Sequence, residues 1–295
     1  MPQETLYRPK GAGHNVPGER REYVKPRDRL VEAFGKWIRT YKNEPGMEHP
    51  RNYKVASGLV PDMGEVGYEE INSLLCLIED DPELMLNSGV MISALYNHLG
   101  PKDIVYECDT GTEITYLGCS LPEWKRLIID GNTGFSAAFS SNGPVINYGP
   151  GNDLAASSGG LVVNYGEIQR GIGWWGKGPV VNFGKCLSLG WKTSGLVINE
   201  SGAENLTAKT GASIFINLSE LEDCLDSLRK GSSPRTMIIS GRECREIPGL
   251  VEYIFDLKDS LGPEKPKEDV FRALDDLDVE SDIRRILTEA GRLEA

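Results

Sequence analysis

Histidine is almost missing from this chain: His14, His49 and His98 are the three in 295 residues. None stands beside a Cys, Asp or second His at ligand spacing, which argues against a His-dependent triad and His-rich metal catalysis. His98 reads as a residue in the last turn of a helix. Cysteine is sparse and dispersed, at 76, 108, 119, 186, 224 and 244. No pair has zinc-knuckle spacing and no secretory leader is visible, so buried thiols are expected rather than metal ligands or a disulfide framework. No apolar run approaches the roughly 18 residues that a membrane helix needs, and the expected location is cytoplasmic. A basic stripe is also lacking in a chain of net charge −12, which excludes nucleic acid as the expected partner. Phosphate loops are absent in the same sense: GIG at 171–173 and GKG at 176–178 are not followed by a phosphate-binding helix or by Lys-Ser/Thr. The DGNTG run at 130–134 lacks the twelve-residue calcium pattern and reads as a turn. No cofactor or metal is expected, and catalytic residues are left unassigned.

The charge is unevenly spread. Residues 1–60 carry 12 basic and 7 acidic side chains, 61–125 carry 2 and 13, 126–217 carry 6 and 5, and 218–295 carry 12 and 19. A basic N-terminal arm beside an acidic second segment is the pattern of an arm lying across it, within one chain or between subunits, or of a solvated terminus.

Against these absences stands a six-fold repeat. Ile128-Ile129-Asp130, Val145-Ile146-Asn147, Val162-Val163-Asn164, Val180-Val181-Asn182, Val197-Ile198-Asn199 and Phe215-Ile216-Asn217 recur every 17 or 18 residues. Tyr or Phe and then Gly often follow the Asn, as in VINYG at 145–149 and VVNFG at 180–184. A weaker apolar position recurs at Leu154, Ile172, Leu189 and Leu206, and a closing glycine at 143, 160, 178, 195 and 211. A unit this short cannot bury its own apolar face, so neighbours must stack. It is also too short for a helix, a strand and two turns. The expected fold is mainly β: a right-handed parallel β-solenoid with α-helical N-terminal and C-terminal caps. Glycines are expected at corners of positive φ or close backbone approach, and the asparagines are expected to bond from coil to coil.

Strand alternation sends the residues one and three before each Asn to one side and the residue two before it to the other. One set fills the interior. The other forms an outward apolar stripe that needs a cover, supplied by the chain's own helices or by a second subunit.

Around the repeat, 1–26 reads as an extended or mobile arm and 27–125 as a mainly helical cap with a short hairpin. The coils occupy 126–218, and 219–295 reads as a helical C-terminal cap. Within these, a helix is expected from about Asp28, and 43–66 is expected to be loop with a short strand at Tyr53–Val55. Two helices are expected in 68–98, with Pro82 opening the second. Strands are expected at Ile104–Glu107 and Glu113–Leu117 with a turn at Thr110-Gly111. Ser219 with Glu222 forms a capping box for a helix through Leu228. Thr236–Ser240 reads as a last rung, followed by a helix over 248–260 and one or two more in 267–291.

The Gly-rich coils with parallel apolar rungs over 126–218 resemble the right-handed β-helix of the glutamate synthase C-terminal domain and of the formylmethanofuran dehydrogenase C subunit. That resemblance implies a scaffold and interface role and carries over no functional residue.

The coils differ most at Trp174, Trp175 and Trp191. Adjacent Trp174 and Trp175 point to opposite sides if extended, so one of them is exposed. Asp153 and Glu167 are the nearest carboxylates, on neighbouring coils. The expected function is a non-catalytic scaffold or assembly protein acting through a protein partner or as a homo-oligomer. The alternative is a carbohydrate-active enzyme or carbohydrate-binding protein that uses Trp174, Trp191, Asp153 and Glu167 as a ligand-binding face, with a close carboxylate pair required for hydrolysis.

Overall fold

The computed structural model describes residues 26–43, 49–62, 64–77, 82–107, 113–200, 203–206, 214–219 and 236–294. It is a right-handed parallel β-solenoid flanked by helices on its N- and C-terminal sides. The arm, the Thr110-Gly111 turn and the helix expected from Ser219 to Leu228 lie outside the described residues, apart from Pro26 and Ser219.

Sheet A has eight parallel strands in the order β1 (Asp103–Tyr106), β2 (Arg126–Ile129), β3 (Val145–Asn147), β5 (Val162–Asn164), β7 (Val180–Asn182), β9 (Leu196–Asn199), β11 (Ile214–Asn217) and β12 (Met237–Ser240). Sheet B alternates with it along the chain: β4 (Gly151–Leu154), β6 (Ile168–Ile172), β8 (Cys186–Leu189) and β10 (Ala203–Leu206). A turn face closes each coil. The weaker apolar positions are in register on sheet B, where Leu154, Ile172, Leu189 and Leu206 align.

The asparagines form the expected ladder inside the solenoid. The Asn147 amide donates to Oδ1 of Asn164 at 2.8 Å, Asn164 to Asn182 at 2.9 Å, Asn182 to Asn199 at 3.0 Å and Asn199 to Asn217 at 2.8 Å. The second amide hydrogen of Asn147, Asn164 and Asn182 bonds the carbonyl of the glycine two residues on. Both donors of these groups are therefore used, which makes a fully buried polar column tolerable. The first coil departs from the expected register. Ile129, not Asp130, aligns with Asn147, and Asp130 stands outside as an exposed partner of Lys267 at 2.7 Å. Asn147 Oδ1 consequently has no donor below it and is buried without a partner.

Alternation divides the rungs as expected. Leu127, Val145, Val162, Val180, Val197 and Phe215 face inward, joined at the N-terminal end by Leu30, Phe34, Trp37, Met91, Leu95 and Tyr96. These come from α1 (Pro26–Asn43) and α4 (Pro82–His98). The outward column, Val105, Ile128, Ile146, Val163, Val181, Ile198, Ile216 and Ile239, supplies one residue per rung and packs under the C-terminal helices. Of the two covers considered, the chain's own is the one found. It consists of α5 (Arg242–Arg245), α6 (Leu250–Ser260), α7 (Lys267–Asp275) and α8 (Val279–Glu289). The tyrosines after Asn147 and Asn164 help to hold it: Tyr148 and Tyr165 donate their hydroxyls to the carbonyls of Leu261 and Lys258 at 2.7 and 2.6 Å.

Two expectations fail in detail. Residues 49–59, expected as loop with a strand at Tyr53–Val55, form α2 (His49–Leu59), followed by the short α3 (Tyr68–Asn72) and a 3-10 turn. Pro50 sits in the first turn of α2, where its missing N–H costs nothing, and Asn52 and Ala56, four apart, make the buried face. At Glu113–Leu117 a single bridge, Ile114 to Thr133, replaces a strand. The repeat glycines are required by close approach rather than by positive φ: a Cβ on Gly178 would strike the carbonyls of Gly159 and Gly160 in the preceding coil.

Replacing Asn164 by Leu strips a donor from Asn182 Oδ1 and an acceptor from Asn147, and should cost about 2–4 kcal/mol in urea unfolding. Val163→Lys forces an ammonium under α6–α8 and should cost several kcal/mol; an unchanged melting temperature would show that the stripe is not covered.

Candidate functional site

The turn face is built on left-handed residues. Gly118, Ala138, Ala155, Gly173 and Gly190 form one column of positive φ, and Ser120, Ser140, Ser157, Trp175 and Lys192 form a second. The first column donates its N–H to the preceding coil, as from Ala155 to Ala137, and the second to the following coil, as from Trp175 to Trp191. This alternation ties each turn in both directions. It also aims the second-column side chains outward: Ser157, Trp175 and Lys192 are exposed.

Between these columns run Cys119, Phe139, Ala156, Trp174 and Trp191. Cys119, Phe139 and Ala156 fill the early coils, and tryptophans the later ones. Trp174, Trp175 and Trp191 pack edge to face, with centroid separations of 6.1, 5.8 and 4.8 Å. Trp175 remains 46% exposed, and the Lys192 ammonium lies 4.6 Å above the Trp191 ring. The rings form a tripod rather than a flat platform.

Sheet B continues this surface. Its register slips between Ile168 and Gly171, where β6 carries one residue more than its neighbours. Bulges of this kind re-aim side chains, and here Gln169 and Arg170 are both exposed. Arg170 lies over the ring of Phe135 at 5.3 Å and 3.7 Å from the Asp153 carboxylate. Asp153 pairs in register with Gly171, on whose bare Cα the Trp174 indole rests; any Cβ there would strike Nε1. Asp153 Oδ1 and Trp174 Nε1 are both buried without a hydrogen-bond partner. Burial pushes the Asp153 carboxyl above its ordinary value, against Arg170 and the Gly171 N–H, which pull it down. Phe135 and Leu187 complete the patch at 40% and 43% exposure.

Of the residues singled out in the sequence, Trp174, Trp191 and Asp153 are thus drawn together on one flank. Glu167 is exposed at the corner before β6, where its carbonyl accepts from Gly151 N–H at 3.0 Å. The ionic neighbour of Asp153 is Arg170. Sequence reasoning missed Arg170, Phe135, Leu187 and Lys192. The change from Ser to Trp to Lys down the second column was a usable signal for Lys192, but the bulge that presents Arg170 had none beyond an 18-residue spacing.

Among the described residues no group of three or more His, Cys, Asp or Glu is placed to hold a metal ion, and no helix is long and apolar enough to cross a membrane. No protein-family model, curated protein or solved structure matches this chain.

Asp153→Asn should raise the melting temperature at neutral pH. A carboxyl whose folded pKa is raised weakens the fold while charged, and that penalty fades as pH falls through the folded and then the unfolded value. The advantage of the variant should therefore vanish in acid, as read from paired thermal melts across pH.

Proposed function

We propose that this chain is a non-catalytic scaffold that works through protein–protein contacts made by the turn flank and the adjoining face of sheet B. The observation that carries the reading is the allocation of apolar surface. The inward columns are closed by the N-terminal helices and the outward column of sheet A by α6–α8, while Phe135, Trp175 and Leu187 stay exposed, with Arg170 over Phe135 and Lys192 over Trp175 and Trp191. Aromatic side chains with arginine are the composition of interface anchors. A repeat scaffold holds them on rigid coils rather than on loops. A scaffold role is also what the likeness of the coils to the β-helices of glutamate synthase and formylmethanofuran dehydrogenase implies, and a cytoplasmic setting fits the buried thiols of Cys119 and Cys244.

One observation favours carbohydrate as a second reading. Asp153 Oδ1 and Trp174 Nε1 are an unpaired acceptor and an unpaired donor flanking Gly171, and a sugar hydroxyl can serve both.

Photo-crosslinking separates the two. A benzoylphenylalanine probe at Leu187 in the expressing cell should yield crosslinked polypeptides that disappear with Trp175→Ala. The same probe at Phe255, on α6, should yield none of these bands. Absence of polypeptide adducts together with Trp175-dependent co-sedimentation on insoluble polysaccharide would overturn the scaffold reading in favour of the second.

A further inference from the structure

The first coil carries an insertion that the later coils lack. From Gly118 to Leu127 there are nine residues, whereas Ala138 to Val145, Ala155 to Val162, Gly173 to Val180 and Gly190 to Val197 each span seven, and the rung register makes these segments equivalent. The extra length loops out at Pro122–Lys125 and is closed by Lys125 N–H to Pro122 O at 3.0 Å. Its root is pinned. Lys125 is fully buried, and its ammonium bonds the carbonyls of Tyr96, Gly100 and Pro101 at the end of α4. Its tip is thrust into solvent: Trp124 is 60% exposed, the highest value among the large apolar side chains of the described residues. Glu123 is exposed beside it, and exposed Glu65 is close enough for its charge to act on Lys125. The result is a rigid knob, apolar at its tip and acidic at its sides.

The ledge formed by Trp175, Trp191 and Lys192 has the opposite character. In a chain of net charge −12, the charged groups on and beside it are Lys192, over the Trp175 and Trp191 rings, Lys177 and Arg170, all exposed, while the nearby Asp153 is buried. Knob and ledge lie on the same flank, since the loop rests against Gly143 at the corner between turn face and sheet A, a corner that Gly160, Gly178 and Gly195 continue past the tryptophans. Three coils separate Gly118 from Gly173, roughly 14 Å at about 4.8 Å per coil.

We infer that two copies of this chain pair antiparallel, flank to flank, with Trp124 of each seated on the Trp175–Trp191–Lys192 ledge of the other. The inference rests on the reading of the ledge as a protein-contact surface and names its occupant. A two-fold axis across the flank satisfies both contacts at once, so the assembly closes as a dimer instead of growing. The charge complement fixes register: Glu123 and Glu65 of one copy meet Lys192 and Lys177 of its partner.

Sedimentation equilibrium of the full chain tests this. The expected result is a concentration-dependent dimer that weakens with added salt. Trp124→Ser and Lys192→Glu should each raise the dissociation constant about tenfold or more. Both positions are exposed, so melting temperatures should hold. Adding Glu123→Lys to Lys192→Glu should recover much of the loss. A monomer at every concentration, or a dimer indifferent to both substitutions, overturns the pairing. If the monomer still gives Trp175-dependent polypeptide crosslinks from Leu187, the pairing falls while the scaffold reading stands; if it gives none, both fall.

Discussion

Everything in this molecule depends on one register, and the asparagine amides hold it. Parallel rungs of Val and Ile stack almost equally well when slipped, because their side chains are interchangeable. An amide that must find another amide in the next coil is not interchangeable, since a slip by one residue leaves buried donors and acceptors unpaired in every coil. The chain from Asn147 to Asn217 therefore converts a generic apolar stack into a single alignment. Its lower end shows the limit of the device. Ile129 takes the next place and ends the polar column, which leaves the Asn147 oxygen unpaired.

With the register fixed, the three faces divide their duties. Sheet A is sealed by helices through eight aligned aliphatic residues and two tyrosine hydroxyls. Sheet B presents a bulge and a carboxylate held above its ordinary pKa by burial. The turn face absorbs two left-handed residues per coil, several of them Ala, Ser, Trp or Lys where glycine is the easy choice. Such conformations cost on the order of 1 kcal/mol or more each. They persist because both neighbouring coils hold the turn by its N–H groups. Two unpaired polar atoms, Asp153 Oδ1 and Trp174 Nε1, and the exposed Phe135 and Trp175 lie where this strain and the bulge adjoin.

Much of the architecture was legible because it repeats. The period, the inward and outward columns and the need for a cover all follow from Val-Val-Asn triplets read against strand alternation. Asp130 misled by chemical likeness: it resembles Asn, yet Ile129 occupies the matching place, and only pairing with β3 shows this. Helix α2 was illegible because Pro50 and Gly58 look like loop residues, while the buried side chains among those described in it are Asn52 and Ala56. At the site, Trp174 and Trp191 announced themselves by size. Arg170 and Trp124 did not, since each owes its position to residues gained within a coil, a bulge in one case and an outward loop in the other. Such gains become visible only once the neighbouring coils are aligned.

The cover over sheet A has a consequence for how the chain reaches its final form. The seat for α6–α8 is assembled from Val105 to Ile239, one side chain per rung, and does not exist as a surface until those rungs are stacked. The helices also follow every coil in the chain, so synthesis delivers them after the strands they must recognise. Docking is thus a readout of completed stacking. A single misplaced coil breaks the aliphatic row and offsets Tyr148 and Tyr165 from the carbonyls they must reach. Such a molecule retains a bare apolar stripe, the kind of surface that marks an unfinished chain for chaperones or for aggregation.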